Sequence, residues 1–382
     1  MRFSALSQVQ NFRTYLFRLG EYVLMFGTWH LKLLKVGVNI FGFHELKENL
    51  TVTPDAVECP VKGCAIKVPR QRDVFRRDQK YRCPEHKIYI SPSTFEYEDC
   101  ASNLLWTCNE DIALLNQIMR VKRESRIARD NSEDALTWNV FRFIETNGLV
   151  NGFTEEIIGT TTTNTEMVYW SYSQSQMGLW NMLNRARNEF ELVPSMGSEP
   201  DIIIVGENAL LIIEAKLTAI NETKPSNVEV EEKYVSGGQG WWTKVFSSDF
   251  KEVVIKQRLY ELARFWLLGT WMASQMGLDF YLVNLVLDKK DKDIEERFGR
   301  HIVQKDNQKF KRVTWEQISD MIETSGAQNV DTIKEYFTNK TIGYSSDHKL
   351  QHAFSSGTTF NKTGLDPLLW TISPNNYEYL SI

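Results

Sequence analysis

The spacing of apolar residues predicts two consecutive helices before the middle of the chain. Residues 111–129 carry an apolar face at helical spacing and end in a polar, basic stretch, and a second helix is predicted for 131–146. The polar run at 160–164 then predicts a loop. The apolar face of the first helix consists of Ile112, Leu115, Ile118 and Met119.

After residue 198 the pattern changes to short apolar runs that are typical of buried strands. Residues 201–205 and 210–216 predict two strands joined by a tight turn. The pattern then predicts a polar, glycine-containing loop, a long helix and a further buried strand, at 220–240, 249–276 and 280–287. The order helix, strands, helix, strand predicts an α/β core.

Composition limits the classes of protein that the chain can represent. It has 382 residues, of which 42% are hydrophobic, so it suffices for two or three domains and is not a disordered chain. Five cysteines exclude a disulfide scaffold, and their clustering favours metal binding in a reducing compartment. The formal charge of −5 means that any surface for nucleic acid must be local.

The apolar stretches do not predict a membrane protein. Charged residues interrupt the stretch at 22–43, and the stretch at 265–273 is short, whereas a membrane helix needs about 20 apolar residues. The first residues lack the layout of a signal peptide. We therefore expect a soluble, cytoplasmic protein without a membrane partner.

Two acids and a lysine stand at the ends of the two predicted strands. Asp201 opens the first strand, and Glu214, Ala215 and Lys216 end the second. Residues two apart in a strand point to the same face, so Glu214 and Lys216 share a face directly after an apolar run. Burying an acid and an amine there is costly unless they are paired or bind a metal. A tight hairpin would bring the Asp201 carboxylate near Glu214.

This arrangement has two interpretations. Two carboxylates beside a backbone carbonyl suit Mg²⁺, and a neighbouring lysine could orient or deprotonate a water and steady developing phosphate charge. Together these groups would support metal-assisted phosphodiester hydrolysis. The alternative is a plain Glu–Lys pair at a strand end, preceded by a Pro-Asp turn, with no catalytic role.

Pro200-Asp201, followed by Glu214-Ala215-Lys216 at the end of an apolar strand, resembles the motif of the PD-(D/E)xK nuclease superfamily. The resemblance implies the restriction-endonuclease-like fold, with a mixed central sheet flanked by helices. It also implies that Asp201, Glu214 and the Ala215 carbonyl hold Mg²⁺ or Mn²⁺. In the same family the lysine, here Lys216, assists the attacking water.

Two further residues fit this resemblance. The family places an acid on a helix before the strands, and Glu133 heads the inward face of the second predicted helix. Alternatively, Asp130 and Glu133 have the spacing of a capping box. On the later helix, Gln257 and Tyr260 resemble the Gln…Tyr motif of several subgroups, with two intervening residues in place of three. They could contact the Lys216 region, or they could be ordinary polar residues of a packed helix.

The cysteines and one histidine form a second constellation. Cys59 and Cys64 are separated by four residues, and Cys83 and His86 by two. Three thiolates and an imidazole in two close pairs suit a tetrahedral structural Zn²⁺, whose role would be to fold the segment. Free thiols are the alternative.

The segment around these residues is strongly basic. Between residues 59 and 89 nine basic residues stand against three acidic ones, with aromatic residues interleaved. This composition suits a zinc ribbon that contacts phosphates, although charge runs are also common on solvated faces. A second basic stretch lies at 120–129. The candidate nucleic-acid contacts are Arg70, Arg72, Arg76 and Arg77.

We therefore expect a zinc-ribbon-like basic module at 59–110 and a nuclease core at 111–325. These lie between an N-terminal region of unknown role at 1–58 and a C-terminal extension at 326–382. The expected function is Mg²⁺-dependent DNA cleavage of the restriction or phage-defence type, compatible with a homodimer or with partner defence proteins. The alternatives are a non-catalytic zinc-ribbon nucleic-acid-binding protein on a nuclease-like scaffold, and an RNA nuclease.

Overall fold

The computed structural model of the chain describes most of the sequence from residue 46 to residue 354. The described ranges are 46–72, 74–122, 125–192, 199–225, 231–345, 347 and 349–354, together with three short N-terminal strands. Those strands form an antiparallel sheet and are β1 (Leu16–Leu19), β2 (Tyr22–Met25) and β3 (Leu33–Lys35).

Two small hairpins follow, and they carry the cysteine–histidine segment. Each is an antiparallel pair of three-residue strands. Gly63 has a φ of +77°, a left-handed conformation that glycine adopts without strain, and it closes the turn before Cys64. The strands are β4 (Ala56–Glu58), β5 (Lys67–Pro69), β6 (Ile88–Ile90) and β7 (Phe95–Tyr97).

Three helices come next: α1 (Asn109–Val121), α2 (Glu133–Thr146) and α3 (Val150–Ile158). The prediction of a helix over 131–146 is confirmed. The predicted helix over 111–129 is too long, because α1 ends at Val121 and Lys122 has extended backbone angles. The Ser132 side chain caps α2 by accepting a hydrogen bond from Ala135 N, so Asp130 does not serve as the cap.

The centre of the protein is a mixed seven-stranded sheet, with strand order β10-β9-β8-β11-β12-β13-β14. β12, β13 and β14 run parallel to one another, and the other neighbours are antiparallel. The predicted hairpin over 201–216 is confirmed as β11 and β12. The strands are β8 (Glu166–Tyr169), β9 (Tyr172–Ser173), β10 (Gly178–Leu179), β11 (Ile202–Val205), β12 (Ala209–Ala215), β13 (Asp279–Val286) and β14 (Gln308–Thr314).

The segment between β12 and β13 departs from the sequence prediction. The predicted loop over 220–240 contains a helix, and the predicted helix over 249–276 is broken, since Arg258 has a φ of +58°. A π-type turn (Lys251–Lys256) precedes the break. The helices between β12 and β13 are α5 (Glu231–Gly240), α6 (Trp242–Val245) and α7 (Tyr260–Met276). The helix α4 (Asn181–Glu189) lies earlier in the chain, before β11.

The C-terminal part adds three helices and a hairpin. β15 and β16 pair antiparallel, and backbone hydrogen bonds join this hairpin to the cysteine-rich segment, from Tyr344 N to Ser93 O and from Leu350 N to Glu48 O. These elements are α8 (Ile294–Gly299), α9 (Trp315–Thr324), α10 (Val330–Asn339), β15 (Thr341–Tyr344) and β16 (Leu350–His352).

Both faces of the central sheet are covered by apolar packing. Alternate residues of β12 enter different cores: Leu211 and Ile213 face α2 and α9, whereas Leu210 and Ile212 face α7. α7 lies close to the sheet at Gly269, where a Cβ would collide with the Phe280 ring. The fold is thus an α/β arrangement in which helices flank a mixed sheet. None of the helices in the described part of the chain has the length and apolar character needed to cross a membrane.

Candidate functional site

The predicted acids and the lysine meet at the C-terminal end of β12. Because β11 runs antiparallel to β12, it brings Asp201 beside Ala215, whose backbone N–H donates to Asp201 Oδ2 at 2.9 Å. Asp201 is 8% exposed and Glu214 is 3% exposed, so both acids are buried. The hairpin inferred from sequence therefore places the two carboxylates at one end of the sheet.

Glu133 reaches the same end of the sheet from the first turn of α2. Its Oε2 accepts a 2.7 Å hydrogen bond from Leu217 N, directly after Lys216. Burial raises the pKa of Glu133 to about 7; the Lys216 charge opposes this rise and the Asp201 charge reinforces it. The helix face inferred for Glu133 is thus the one that approaches the strand end.

Lys216 lies at the centre of the acids. Its Nζ is 2.5 Å from Glu214 Oε1 and 3.2 Å from Glu261 Oε2. Its backbone is fixed on both sides, because Lys216 N donates to Leu285 O at 2.7 Å and Trp315 Nε1 donates to Lys216 O at 3.1 Å. The sharing of one face by Glu214 and Lys216, predicted from strand alternation, agrees with this contact.

The charges of this cluster govern its protonation. Burial raises the pKa of Glu214 well above its usual value and also raises the pKa of Asp201, with the Lys216 charge opposing both rises. For Lys216, burial alone would lower the pKa, but Glu214, Glu133 and the other acids outweigh it and hold the pKa well above the usual value. Lys216 is therefore a cation at neutral pH.

Glu261, which the sequence pattern did not single out, contacts Lys216, whereas the described hydrogen bond of Gln257 goes to another residue. The amide of Gln257 donates to Glu252 at 3.0 Å, so its described hydrogen bond leads away from the Lys216 cluster. Tyr260 contacts the hydroxyl of Tyr234, and its neighbour Glu261 supplies the contact to Lys216. The break at residue 258 sets the phase of α7, and the uninterrupted helix predicted from sequence could not reveal it.

Lys122 and Trp170 are further residues of this site that sequence reasoning did not select. Trp170 Nε1 donates to Asp201 Oδ1 at 2.9 Å, and Lys122 Nζ lies 4.4 Å from the centre of the Trp170 ring. Lys122 also pairs with Asp134 at 3.0 Å. Of the second basic stretch at 120–129, Lys122 is thus directed at the acids and not at solvent.

The donor atoms of this site fit a hard cation in chemistry, but they are not assembled as a cation cage. Glu214 Oε2 is buried and has no hydrogen-bond partner among the described residues. Oxygen ligands from carboxylates and a carbonyl suit Mg²⁺. However, the acids around Lys216 do not form a group of three whose oxygens all lie within 4.8 Å of one another. The Lys216 ammonium instead contacts two of them, Glu214 and Glu261.

One cluster in the described parts of the chain does bring its potential metal ligands together, with all four ligand atoms within 4.8 Å of one another. It consists of Cys59, Cys64, Cys83 and His86. The Sγ atoms of Cys59 and Cys83 lie 3.6 and 3.7 Å from His86 Nδ1, and Cys64 Sγ lies 3.9 Å from Cys83 Sγ. A tetrahedral zinc with Zn–S bonds of about 2.3 Å requires sulfur–sulfur separations of roughly 3.8 Å. The group therefore has the chemistry and spacing to hold a zinc ion.

Local backbone geometry presents these four ligands. Cys59 N donates to Ile66 O across the first hairpin, and Cys83 N donates to Ile88 O across the second. Burial raises the pKa of both Cys59 and Cys64. A bound cation would reverse that effect by favouring the thiolates.

The four candidate nucleic-acid arginines lie in different surroundings. Arg72 pairs with Asp55 at 3.1 Å and Arg77 with Glu96 at 2.6 Å. Arg70 is half-buried and approaches Pro92 O at 3.5 Å. Arg76 is exposed, and among the described residues no carboxylate lies within ion-pair distance of it. Three of the four arginines therefore already have protein partners.

The cysteine-rich segment is joined to the core through buried polar contacts. Tyr97 at the end of β7 donates to Asp130 Oδ1 at 2.9 Å, and Thr341 donates to Asp130 Oδ2. Burial raises the pKa of Asp130 and lowers the pKa of the neighbouring Lys340 to about 8. The predicted module at 59–110 and the predicted extension after 326 thus meet at one buried acid.

No protein-family model, curated protein or solved structure matches this chain.

Proposed function

We propose that the protein is a metal-dependent phosphodiesterase of the PD-(D/E)xK type, with its active site at the end of β12. The observation that carries the proposal is the convergence of Asp201, Glu214 and Glu133 around Lys216. These residues come from three separate elements, and burying them together is costly unless the site has a use for them. The mixed sheet, with its antiparallel hairpin leading into parallel strands, agrees with a restriction-endonuclease-like fold.

In this proposal Asp201, Glu214 and the Ala215 carbonyl hold Mg²⁺ or Mn²⁺. The ion would supply Lewis-acid stabilisation of the phosphoryl oxygens. Trp170 and the Ala215 N–H orient the Asp201 carboxylate, and Leu217 N orients Glu133. These contacts limit the rotation of both carboxylates before substrate arrives.

The protonation of Lys216 favours one of its two proposed roles. A lysine whose pKa is raised well above its usual value holds its proton at neutral pH. As an ammonium it can donate hydrogen bonds to water and to phosphate oxygens, and Mg²⁺ on Asp201 and Glu214 would offset part of the acidic charge that raises its pKa. We assign Lys216 to orienting the attacking water and stabilising the negative charge on phosphate.

We propose Zn²⁺ as the resident ion of the Cys59–Cys64–Cys83–His86 group, with a structural role. The zinc segment and its exposed arginines would contact DNA beside the cleavage site, in a restriction or phage-defence nuclease acting in the cytoplasm. The competing proposal is a zinc-ribbon protein that binds nucleic acid without cutting it. Three of the four candidate arginines already have protein partners. The zinc segment therefore contributes less support for DNA contact in either proposal.

Incubation with supercoiled plasmid tests the proposal directly. The full-length protein should relax or linearise the plasmid with Mg²⁺ or Mn²⁺, and it should not do so with Ca²⁺ or without a divalent ion. Glu207→Gln is the matched control for substitutions of the acids in the proposed site, because Glu207 is exposed and lies at the opposite end of the same hairpin. Plasmid binding without cleavage under all conditions would favour the non-catalytic alternative, and cleavage of RNA alone would favour an RNA nuclease.

A further inference from the structure

A buried arginine beside the proposed active site has no carboxylate partner among the described residues. Arg264 lies in α7, one turn after Glu261, and is 2% exposed. Its Nε has no hydrogen-bond partner, and among the described residues no carboxylate lies within ion-pair distance of its guanidinium. A guanidinium always carries its charge, and burial of an unpaired charge is strongly unfavourable. Within the described part of the chain, this buried cation is therefore not neutralised.

Two tyrosine hydroxyls accompany this cation. Tyr234 of α5 is 1% exposed, and its hydroxyl lies 3.0 Å from the Tyr260 hydroxyl. Arg264 stands four residues after Tyr260 in α7, so the two side chains share one helix face. Burial raises the pKa of Tyr234, and the Arg264 charge opposes that rise. Only one hydroxyl can donate to the other, which leaves one hydroxyl hydrogen free to donate elsewhere.

These groups adjoin the Lys216 cluster. Tyr260 is half-buried and directly precedes Glu261, whose carboxylate lies 3.2 Å from Lys216 Nζ. Helical side chains lean toward the N-terminus of their helix, so Arg264 leans back toward this first turn of α7. The backbone N–H groups of Tyr260 and Glu261 are occupied by Thr223, so the helix terminus itself is not the anion site.

We propose that Arg264, Tyr234 and Tyr260 form a phosphate-binding site that holds one phosphate group of the substrate strand beside the scissile bond. A guanidinium offers a rigid fork of donors that matches two phosphate oxygens, and a tyrosine hydroxyl adds a third donor. The inference that the phosphate belongs to a nucleic-acid strand rests on the proposed function. The inference that an anion binds here rests on the buried guanidinium.

The first experiment uses inorganic phosphate and the full-length protein. Thermal unfolding is followed with increasing phosphate, against chloride at equal ionic strength, for the wild type, Arg264→Met and the exposed control Arg300→Met. The wild type and the control should gain melting temperature with phosphate, and Arg264→Met should lose that gain. In chloride, Arg264→Met should melt no lower than the wild type, since it removes an unpaired buried charge.

Two results would overturn the anion site. One is a wild-type melting temperature that does not respond to phosphate, a measurement that needs no variant to fold. The other is an Arg264→Met protein that is destabilised in chloride but keeps the phosphate response, which would identify Arg264 as a structural residue. Neither result depends on catalysis, so the anion site can be tested even if the protein cleaves nothing.

The second experiment identifies the source of the phosphate. Binding of oligonucleotides with a single neutral methylphosphonate, moved along the strand, is measured in Ca²⁺. At one position the neutral group should weaken binding by the wild type at least tenfold and leave Arg264→Met unaffected. If inorganic phosphate binds but no such position exists, the strand assignment is wrong and the ligand is a free phosphate.

Discussion

Trp170 donates an indole hydrogen bond of 2.9 Å to Asp201, and it does so from a left-handed backbone conformation with a φ of +44°. Ser171 follows with a φ of +76°. Non-glycine residues rarely occupy this region, and such strain is retained where the surrounding structure enforces it. Here Trp170 N also donates to Asp201 O at 3.0 Å, so one residue fixes both the backbone and the carboxylate of Asp201.

The first prediction follows from this contact. Trp170→Phe should lower the affinity for the proposed Mg²⁺ or the cleavage rate by about 10- to 100-fold, the usual effect of losing a group that orients a metal ligand. The measurement is the cleavage rate against Mg²⁺ concentration. Trp241→Phe loses a comparable indole hydrogen bond, to Thr270, and serves as the control. Identical Mg²⁺ dependence in both variants would contradict the role of Trp170.

The second prediction concerns catalysis. If the proposed function holds, Lys216→Ala and Asp201→Asn should abolish plasmid cleavage, because they remove the cation of the site and one of the two acids proposed to bind the metal. Circular dichroism should show an unchanged fold. A Lys216→Ala protein that cleaves at the wild-type rate would refute the assignment.

The third prediction concerns zinc. Elemental analysis should find about one equivalent of Zn²⁺, as expected for one closed four-ligand site. Cys59→Ser or Cys83→Ser should lose the ion and lower the melting temperature, because zinc binding contributes folding free energy. Cys100→Ser, at an exposed cysteine outside the group, should retain the ion. A wild-type protein whose thiols all titrate freely while it stays folded would exclude the site.

The fourth prediction concerns the basic surface. Replacing Arg70, Arg72, Arg76 and Arg77 together by Ala should weaken DNA binding regardless of sequence and flatten the salt dependence by up to about four units, near 0.9 per lost phosphate contact. Among the single changes, Arg76→Ala should have the largest effect, because its side chain lacks an acidic partner in the described structure. Filter binding at several salt concentrations measures both quantities.

In that titration Arg300→Ala removes an exposed arginine far along the chain from this segment and is the control. Equal affinities and slopes for the fourfold variant and the control would mean that the arginines form a solvated face. DNA cleavage at saturating enzyme should persist in the fourfold variant, since the proposed metal site lies on other elements.

The fifth prediction concerns pH. Burial lowers the pKa of Lys340 to about 8 in the folded protein, from 10.5 unfolded, with the Asp130 charge opposing the change. Between these values the unfolded chain binds the extra proton, so the free energy of unfolding should rise with pH, by about 3 kcal/mol for a shift of this size. Lys340→Met should lose this rise, whereas the exposed Lys334→Met should keep it.

The free energy of unfolding in urea is measured for the wild type and for Lys340→Met at pH 7.5 and pH 10.5. The effect is the change, between these two pH values, in the difference between the two proteins. The raised pKa of Asp130 acts in the opposite sense and at lower pH: its folded-state proton stabilises the protein in acid and is lost as pH rises. A wild-type minus Lys340→Met difference that is independent of pH would show that Lys340 is not buried as a lysine with a lowered pKa.

Local sequence periodicity was sufficient to predict the centre of the candidate site. The two-residue period of a strand placed Glu214 and Lys216 on one face, and the helical period placed Glu133 on the inward face of α2. Ligand spacing alone also predicted the Cys59–His86 group. These features depend on neighbouring residues in one element, so they can be read without knowing the fold.

The remaining contacts could not be read in the same way, because they depend on tertiary geometry. Trp170 reaches Asp201 through a left-handed turn that carries no glycine, so its sequence gives no signal. Glu261 faces Lys216 only because the helix breaks at Arg258. Arg264 did carry a signal, since it interrupts the apolar run of α7 and such a charge requires a partner.

The hairpin of β15 and β16 has a consequence for the order of folding during synthesis. Its backbone bonds to Ser93 and Glu48 join segments that are about 250 and 300 residues apart in the chain. Such long-range contacts form late, after the intervening chain has been made. The four candidate zinc ligands are translated before this hairpin, and their segment cannot complete its packing until the hairpin has been made. Early metal capture would then protect the cysteines of a waiting nascent chain.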